Sequence, residues 1–197
     1  MMKLNTLLFF TLIYLIMNGC DTKKEQGANQ TQTPIENILS RKSVRKYTDQ
    51  PVEKEKIQLL LRAAMAAPSG KDNRPWEFVV VNDRASLDSM AAALPYAKML
   101  KQAQLAIVVC GNMERSSYWY LDCSLAAQNI LLAAESLGLG AVWTASYPYP
   151  DRMEAVKACI ALPDSVESLC VIPIGYPAMP HQPKDKWDET KIHYNKF

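Results

Sequence analysis

Glycine is scarce, with seven in 197 residues, and none opens a G-x-G-x-x-G turn after a strand or a Walker loop. The usual dinucleotide-binding and P-loop architectures are therefore excluded. Histidine is scarcer still: His181 and His193 lie near the C-terminus without carboxylate or cysteine partners at ligand spacing, which argues against a metal site. Neither charge sign dominates, because 22 Lys and Arg face 20 Asp and Glu for a net charge of +2. The basic stripe of a nucleic-acid surface is absent. No apolar run reaches the roughly 20 residues that a membrane-spanning helix needs. An apolar fraction of 49% and a charged fraction of 21% instead describe a globular chain able to bury one core.

Residues 1–20 read apart from the rest. Lys3 gives a positive start, Leu4 to Met17 is almost unbroken apolar, and the run ends at Asn18-Gly19-Cys20. This is the pattern of a signal peptide, and a small residue before the closing cysteine resembles a bacterial lipobox, with Cys20 as the lipidated first residue of the mature protein. A retained N-terminal anchor is the alternative, and both place the folded part outside the cytoplasm. Residues 21–33 are polar, rich in Gln, Lys, Thr and Asn without a periodic apolar face, and read as a tether. Beyond Cys20 the cysteines are Cys110, Cys123, Cys159 and Cys170. Their spacing fits no metal pattern. Cys110, Cys123 and Cys170 lie in apolar runs and read as small core residues, and an exported compartment also permits a disulfide.

Residues 34–197 form the expected domain. Thr33-Pro34-Ile35-Glu36 is a capping box with Pro at the first helical position, so a helix begins there. Ile57, Leu60, Leu61, Ala64 and Met65 recur at helical spacing before Pro68 and Gly70, which predicts a second helix ending in a loop. Residues 77–81, 105–110 and 169–174 are rich in β-branched residues and read as strands. Asp122 to Leu137 is apolar on nearly every side and closes at Gly138. Such a helix must be buried all round, and in a domain this small that points to a partner chain. Gly138 to Thr144 reads as a tight turn into a further strand. The interleaving is α+β.

Arg41-Lys42-Ser43-Val44-Arg45 follows the first helix and packs three cations and a hydroxyl into five residues. Arg supplies a planar fork, Lys a point charge and Ser a hydroxyl donor, which is the donor set of a phosphate site. In an extended segment, positions 41, 43 and 45 face one side. Taken alone, a short basic cluster is better explained as solvated surface. Further motifs follow in order: Ala67-Pro68-Ser69-Gly70 leading to Arg74-Pro75-Trp76-Glu77-Phe78, the 122–137 helix ending in Gly-Leu-Gly-Ala-Val-Trp, and Gly175-Tyr176-Pro177.

In this order, over residues 34–197, these motifs resemble the short-chain members of the nitroreductase superfamily. The resemblance implies a three-layer α/β/α fold with a central mixed sheet, an intertwined homodimer, and FMN at sites along the interface. By the same resemblance Arg41, Lys42 and Ser43 hold the FMN phosphate and ribityl chain, and Arg45 is the catalytic cation beside the flavin N1 and C2 carbonyl. Pro68, Ser69, Gly70 and Asp72 come from the other subunit onto the ring. Thr144, Ala145 and Ser146 lie against the flavin, Lys184 and Lys186 close on the phosphate, and Lys98 is a candidate second cation near the ring. Trp76, Trp143 and Tyr147 are candidates for ring contact or for the core. The chain departs from the pattern at Asp72 for the usual Asn, at Arg74 for the usual Gln before Pro-Trp, and at Lys186 for the commoner Arg.

The implied activity is a two-half-reaction flavin chemistry that reduces nitro compounds, quinones or similar small-molecule acceptors. NAD(P)H is the family's usual donor. An exported location lies apart from cytoplasmic nicotinamide pools, so a membrane quinol or protein donor is the alternative. The rival expectations are a flavin-holding lipoprotein with little turnover and a structural surface lipoprotein that has lost the flavin.

Overall fold

The computed structural model describes residues 32–197. The leader, Cys20 and residues 21–31 of the tether lie outside the described residues.

Helix α1 spans Pro34–Ser40 and starts as its sequence requires: the Glu36 amide donates to Thr33 Oγ1 at 3.3 Å, and Thr33 N–H donates back to Glu36 Oε2 at 2.8 Å. Helix α2 spans Lys54–Met65, with Leu60 and Ala64 fully buried and Ile57 and Leu61 against the same core. Met65 is exposed, because it closes the last turn beyond that buried face. Strand β1 (Trp76–Val81) follows, then helix α3 (Arg84–Ala93), strand β2 (Leu105–Asn112) and helix α4 (Trp119–Ser136). Strands β3 (Gly140–Ala141) and β4 (Thr144–Ala145), helix α5 (Pro150–Ile160) and strand β5 (Val166–Gly175) complete the domain.

The strands pair in the order β1-β2-β5-β3, with β4 also on β5. Among the described residues all four strand pairings are antiparallel, and parallel pairing is confined to the bridge between Ser43 and Ala141. The mixed character expected of the sheet thus enters only through the 41–45 segment. Strand β2 explains the layering. Leu105, Ile107 and Val109 point into one core with α2 and α4, while Ala106, Val108 and Cys110 point into the other with α3 and α5. Both faces are covered, so the strand is a continuous apolar run.

The strand expected after Gly140 is broken into β3 and β4. Their shared register on β5 would bring Val142 opposite Pro173, and proline has no N–H for the ladder. A bulge between Val109 and Cys110 leaves Leu169 outside the register. Its carbonyl accepts instead from the Ser146 and Tyr147 amides, at 3.1 and 3.0 Å.

Helix α4 ends where Gly138 adopts φ +71, a left-handed conformation that glycine tolerates without a side-chain penalty. The Leu139 amide reaches back to the Ala134 carbonyl at 2.8 Å. Inward residues of α4 are buried, but Leu121 and Leu125 are exposed, so the protomer covers only part of this apolar helix. The thiols of Cys110, Cys123, Cys159 and Cys170 are all free.

Candidate active site

The basic segment after α1 is extended and pinned at its middle. Val44 N–H donates to the Ala141 carbonyl at 3.0 Å, and the Val44 side chain is buried against Gly140. A Cβ at position 140 would stand 2.6 Å from Val44 Cγ1, closer than atoms can pack. Glycine there lets the segment lie flat on β3, which buries position 44 and leaves Ser43 and Arg45 on the open side.

That side forms a cavity of about 360 Å³ lined by Arg41, Lys42, Ser43, Arg45, Lys184 and Lys186, with His181 and Gln182 completing the wall. The cation-bearing residues come from two places far apart in sequence, the turn after α1 and the chain beyond β5. No carboxylate lines the cavity. Lys42 is the exception to free positive charge, because its Nζ lies 2.5 Å from Glu135 Oε1 on α4, both half-buried or deeper. It carries a compensated charge and anchors the segment to α4. Arg41, Arg45, Lys184 and Lys186 supply the uncompensated field.

The sequence profile of the Nitroreductase family matches residues 38–98 and 88–176. The chain belongs to the nitroreductase family. An archaeal relative from Methanothermobacter thermautotrophicus, named by inference as an NADH dehydrogenase/NAD(P)H nitroreductase, is 46% identical over 166 residues, covering 83% of this chain and 87% of its own. A crystal structure of a Bacteroides thetaiotaomicron protein given the same inferred name is 69% identical with a TM-score of 0.83, covering 84% of this chain and 99% of that one. The structure of an FMN-dependent nitroreductase from Clostridium difficile is 34% identical with a TM-score of 0.79, covering 83% and 99%.

Other expected nitroreductase site residues lie apart from this cavity. Gly70 is held by α4, its amide donating to Asp122 Oδ1 at 2.9 Å while Ser116 Oγ donates to Asp122 Oδ2 at 3.3 Å, and Ser69 Oγ accepts from the Arg74 amide at 3.0 Å within the loop. Asp122 is a buried carboxylate whose role the sequence pattern did not expose; its signal was an acidic residue in the first turn of an otherwise apolar helix. Pro68 is exposed at the start of this loop. Lys71, Asp72 and Arg74 all have positive φ, at 55, 56 and 46. Three non-glycine residues in that region store strain. The two departures from the family pattern meet each other: Arg74 Nε and Nη2 fork onto Asp72 Oδ1 and Oδ2 at 2.7 and 2.5 Å. The Arg74 fork holds the Asp72 carboxyl below its ordinary range.

Thr144 and Ser146 turn their hydroxyls into the sheet, onto the Val171 and Ser168 carbonyls at 2.6 and 3.0 Å. Ala145 is half-buried between them. Those side chains therefore tie the edge of the sheet, and only backbone from this stretch is left to face a ligand. Lys98 does not line the cavity; its ammonium caps α3, donating to the Ala91 and Ala92 carbonyls at 2.9 and 3.2 Å. Trp76 is core. Tyr147 stacks on Tyr120 with centroids 5.4 Å apart, and Trp119 meets both edge-on, a trio that periodicity does not reveal because its members come from α4 and a loop.

Proposed function

We propose that the chain is an FMN-dependent NAD(P)H oxidoreductase that passes electrons to small organic acceptors such as nitro compounds or quinones, and that it works as a homodimer. The observation that carries this reading is the cavity lined by Arg41, Ser43 and Arg45 together with Lys184 and Lys186 and by no carboxylate. The donor set fits FMN: charge-assisted donors from Arg41, Lys184 and Lys186 suit a phosphate, and Ser43 offers a hydroxyl to the polyol chain. FMN, when bound, supplies the electron transfer. Arg41, Lys184 and Lys186 bind and orient, and Lys42 fixes the segment through Glu135. Arg45 is the fixed cation that stabilises negative charge developing at the ring's pyrimidine edge.

Several exposed apolar side chains support the dimer. Helix α1 has no buried residue and shows Ile35, Ile38 and Leu39 to solvent, α4 shows Leu121 and Leu125, and the C-terminal segment shows Trp187 and Tyr194. Apolar surface of this extent marks a contact with another chain. The partner's 68–72 loop then closes the ring site. Anaerobic addition of NADPH, NADH or a quinol to the purified protein tests the donor. Flavin bleaching by a nicotinamide, followed by recovery on adding a nitro compound, is expected. A flavin that no donor bleaches would leave a flavin-holding protein.

The sequence of residues 1–20 supports a further part of the proposal, that Cys20 is lipidated and the domain faces the periplasm or cell surface. Exclusion from cytoplasmic nicotinamide pools makes the quinol the alternative donor. Cys20→Ser should release the domain from the membrane fraction. A variant that stays membrane-bound with its leader intact would make the segment a retained anchor.

A further inference from the structure

Arg45 is the cation on which the proposed chemistry turns, yet its side chain has no anchor of its own. No carboxylate among the described residues pairs with the guanidinium, and the residue is exposed. A long side chain without partners keeps much of its rotamer freedom, so the place of its charge is set by the peptide planes on either side of its Cα.

The chain is fastened on both sides of Arg45. Downstream, the Lys46 carbonyl accepts from the Ala178 amide at 3.0 Å and the Thr48 amide donates to the Tyr176 carbonyl at 2.9 Å, which ties 46–48 to the chain leaving β5. Upstream, the Val44 carbonyl shares a peptide plane with the Arg45 nitrogen, and among the described residues no backbone amide reaches it. Its donor is the Tyr47 hydroxyl at 2.6 Å, with the Pro173 carbonyl as a second acceptor at 3.1 Å. Tyr47 is 6% exposed. Burial pushes its phenol well up, against the smaller downward pull of the Arg45 charge, so the hydroxyl stays a neutral donor. The ring fits here because position 175 is glycine: a Cβ there would stand 3.1 Å from Tyr47 Cδ1, so an added methyl would displace it.

We propose that Tyr47 is a positioning residue that holds the Val44–Arg45 peptide and thereby fixes where the Arg45 guanidinium stands. This rests on the role given to Arg45 above. A buried carbonyl that loses its donor is costly, so the peptide would turn toward another partner, and Arg45, joined to the same plane, would turn with it. A cation stabilises developing charge only as far as it is held in place beforehand.

The test is the midpoint potential of bound FMN on the full-length protein, for wild type, Tyr47→Phe, Arg45→Ala and the double variant. Phenylalanine keeps the buried ring and removes only the hydroxyl. Tyr47→Phe is expected to shift the two-electron equilibrium toward oxidised flavin by roughly threefold, about 14 mV, in the same direction as Arg45→Ala and by less. In the Arg45→Ala background it should add nothing, because residues that act through one another are not additive. A residue that only supports the fold would leave the potential alone or shift it equally with and without Arg45. An unchanged potential in Tyr47→Phe, or a shift undiminished in the double variant, would overturn the proposal and leave the Arg45 role intact; a potential unmoved by Arg45→Ala would overturn both. Gly175→Ala displaces the same ring without changing a polar group and should lower the potential only where Arg45 is present. A Gly175→Ala shift that survives the loss of Arg45 would contradict the proposal.

Discussion

Arg41 and Arg45 sit four residues apart on one extended segment, yet the reading gives them to opposite ends of one ligand. Arg41→Ala should cost on the order of 1.5 to 3 kcal/mol of FMN binding, as one charge-assisted phosphate contact is lost. Arg45→Ala should instead lower the two-electron reduction potential, because the reduced ring loses its nearest cation while the oxidised ring loses little. A loss of about 1.4 kcal/mol appears as about 30 mV in such a couple. Affinity and midpoint potential measured on both variants separate the roles, and an unchanged potential in Arg45→Ala would make it only another phosphate ligand. Residue types alone made Arg41, Ser43 and Arg45 legible as a phosphate donor set. They could not reveal that Glu135 neutralises Lys42, which depends on a partner brought in by tertiary packing, or that Lys98 caps α3, which depends on how the chain turns after that helix. His181 and Gln182 gave no signal, because nothing in their local sequence marks a site.

The elements matter through how they hold these residues. Gly140 allows the basic segment to lie on β3, so Gly140→Ala should force Val44 outward and cost roughly 1 to 3 kcal/mol. Urea unfolding and flavin occupancy should fall together; full occupancy with unchanged stability would mean the segment is not pinned there. Asp122→Ala would leave the Gly70 amide without its acceptor, costing about 1 to 3 kcal/mol, and should open residues 69–74 to proteolysis without unfolding the sheet. The same loop should respond to acid. The Asp72 carboxyl is depressed by Arg74, so the pair persists above the ordinary carboxylate range and is lost as pH falls through the depressed value. Loop cleavage that rises in that acid window, with far-UV signal intact, is the expected result; a pH-independent rate would detach the pair from loop order. Capping at Thr33, termination at Gly138 and the apolar strand β2 were legible, each resting on a local rule. Helices α3 and α5 were missed although Asp83 caps the first and Pro150 opens the second, because their apolar stripes are weak beside that of α2 and neither is apolar throughout as α4 is. The break between β3 and β4 was hidden in Pro173, about thirty residues away along the chain.

At the scale of the molecule, the order of motifs along residues 34–197 carried the family, while periodicity carried only α+β. The apolar surround of α4 pointed to a partner chain, and the exposed Leu121 and Leu125 are the residues on which that argument now rests. The central claim is that cations from two distant stretches form one FMN-phosphate site in a dimer. Its most direct test is flavin stoichiometry measured together with mass, by size exclusion with light scattering and flavin absorbance on the purified protein. The account expects a homodimer that carries noncovalent FMN at about one per chain. A folded monomer that binds FMN normally would contradict the interface, and a folded protein that takes up no FMN when it is supplied would contradict the site itself.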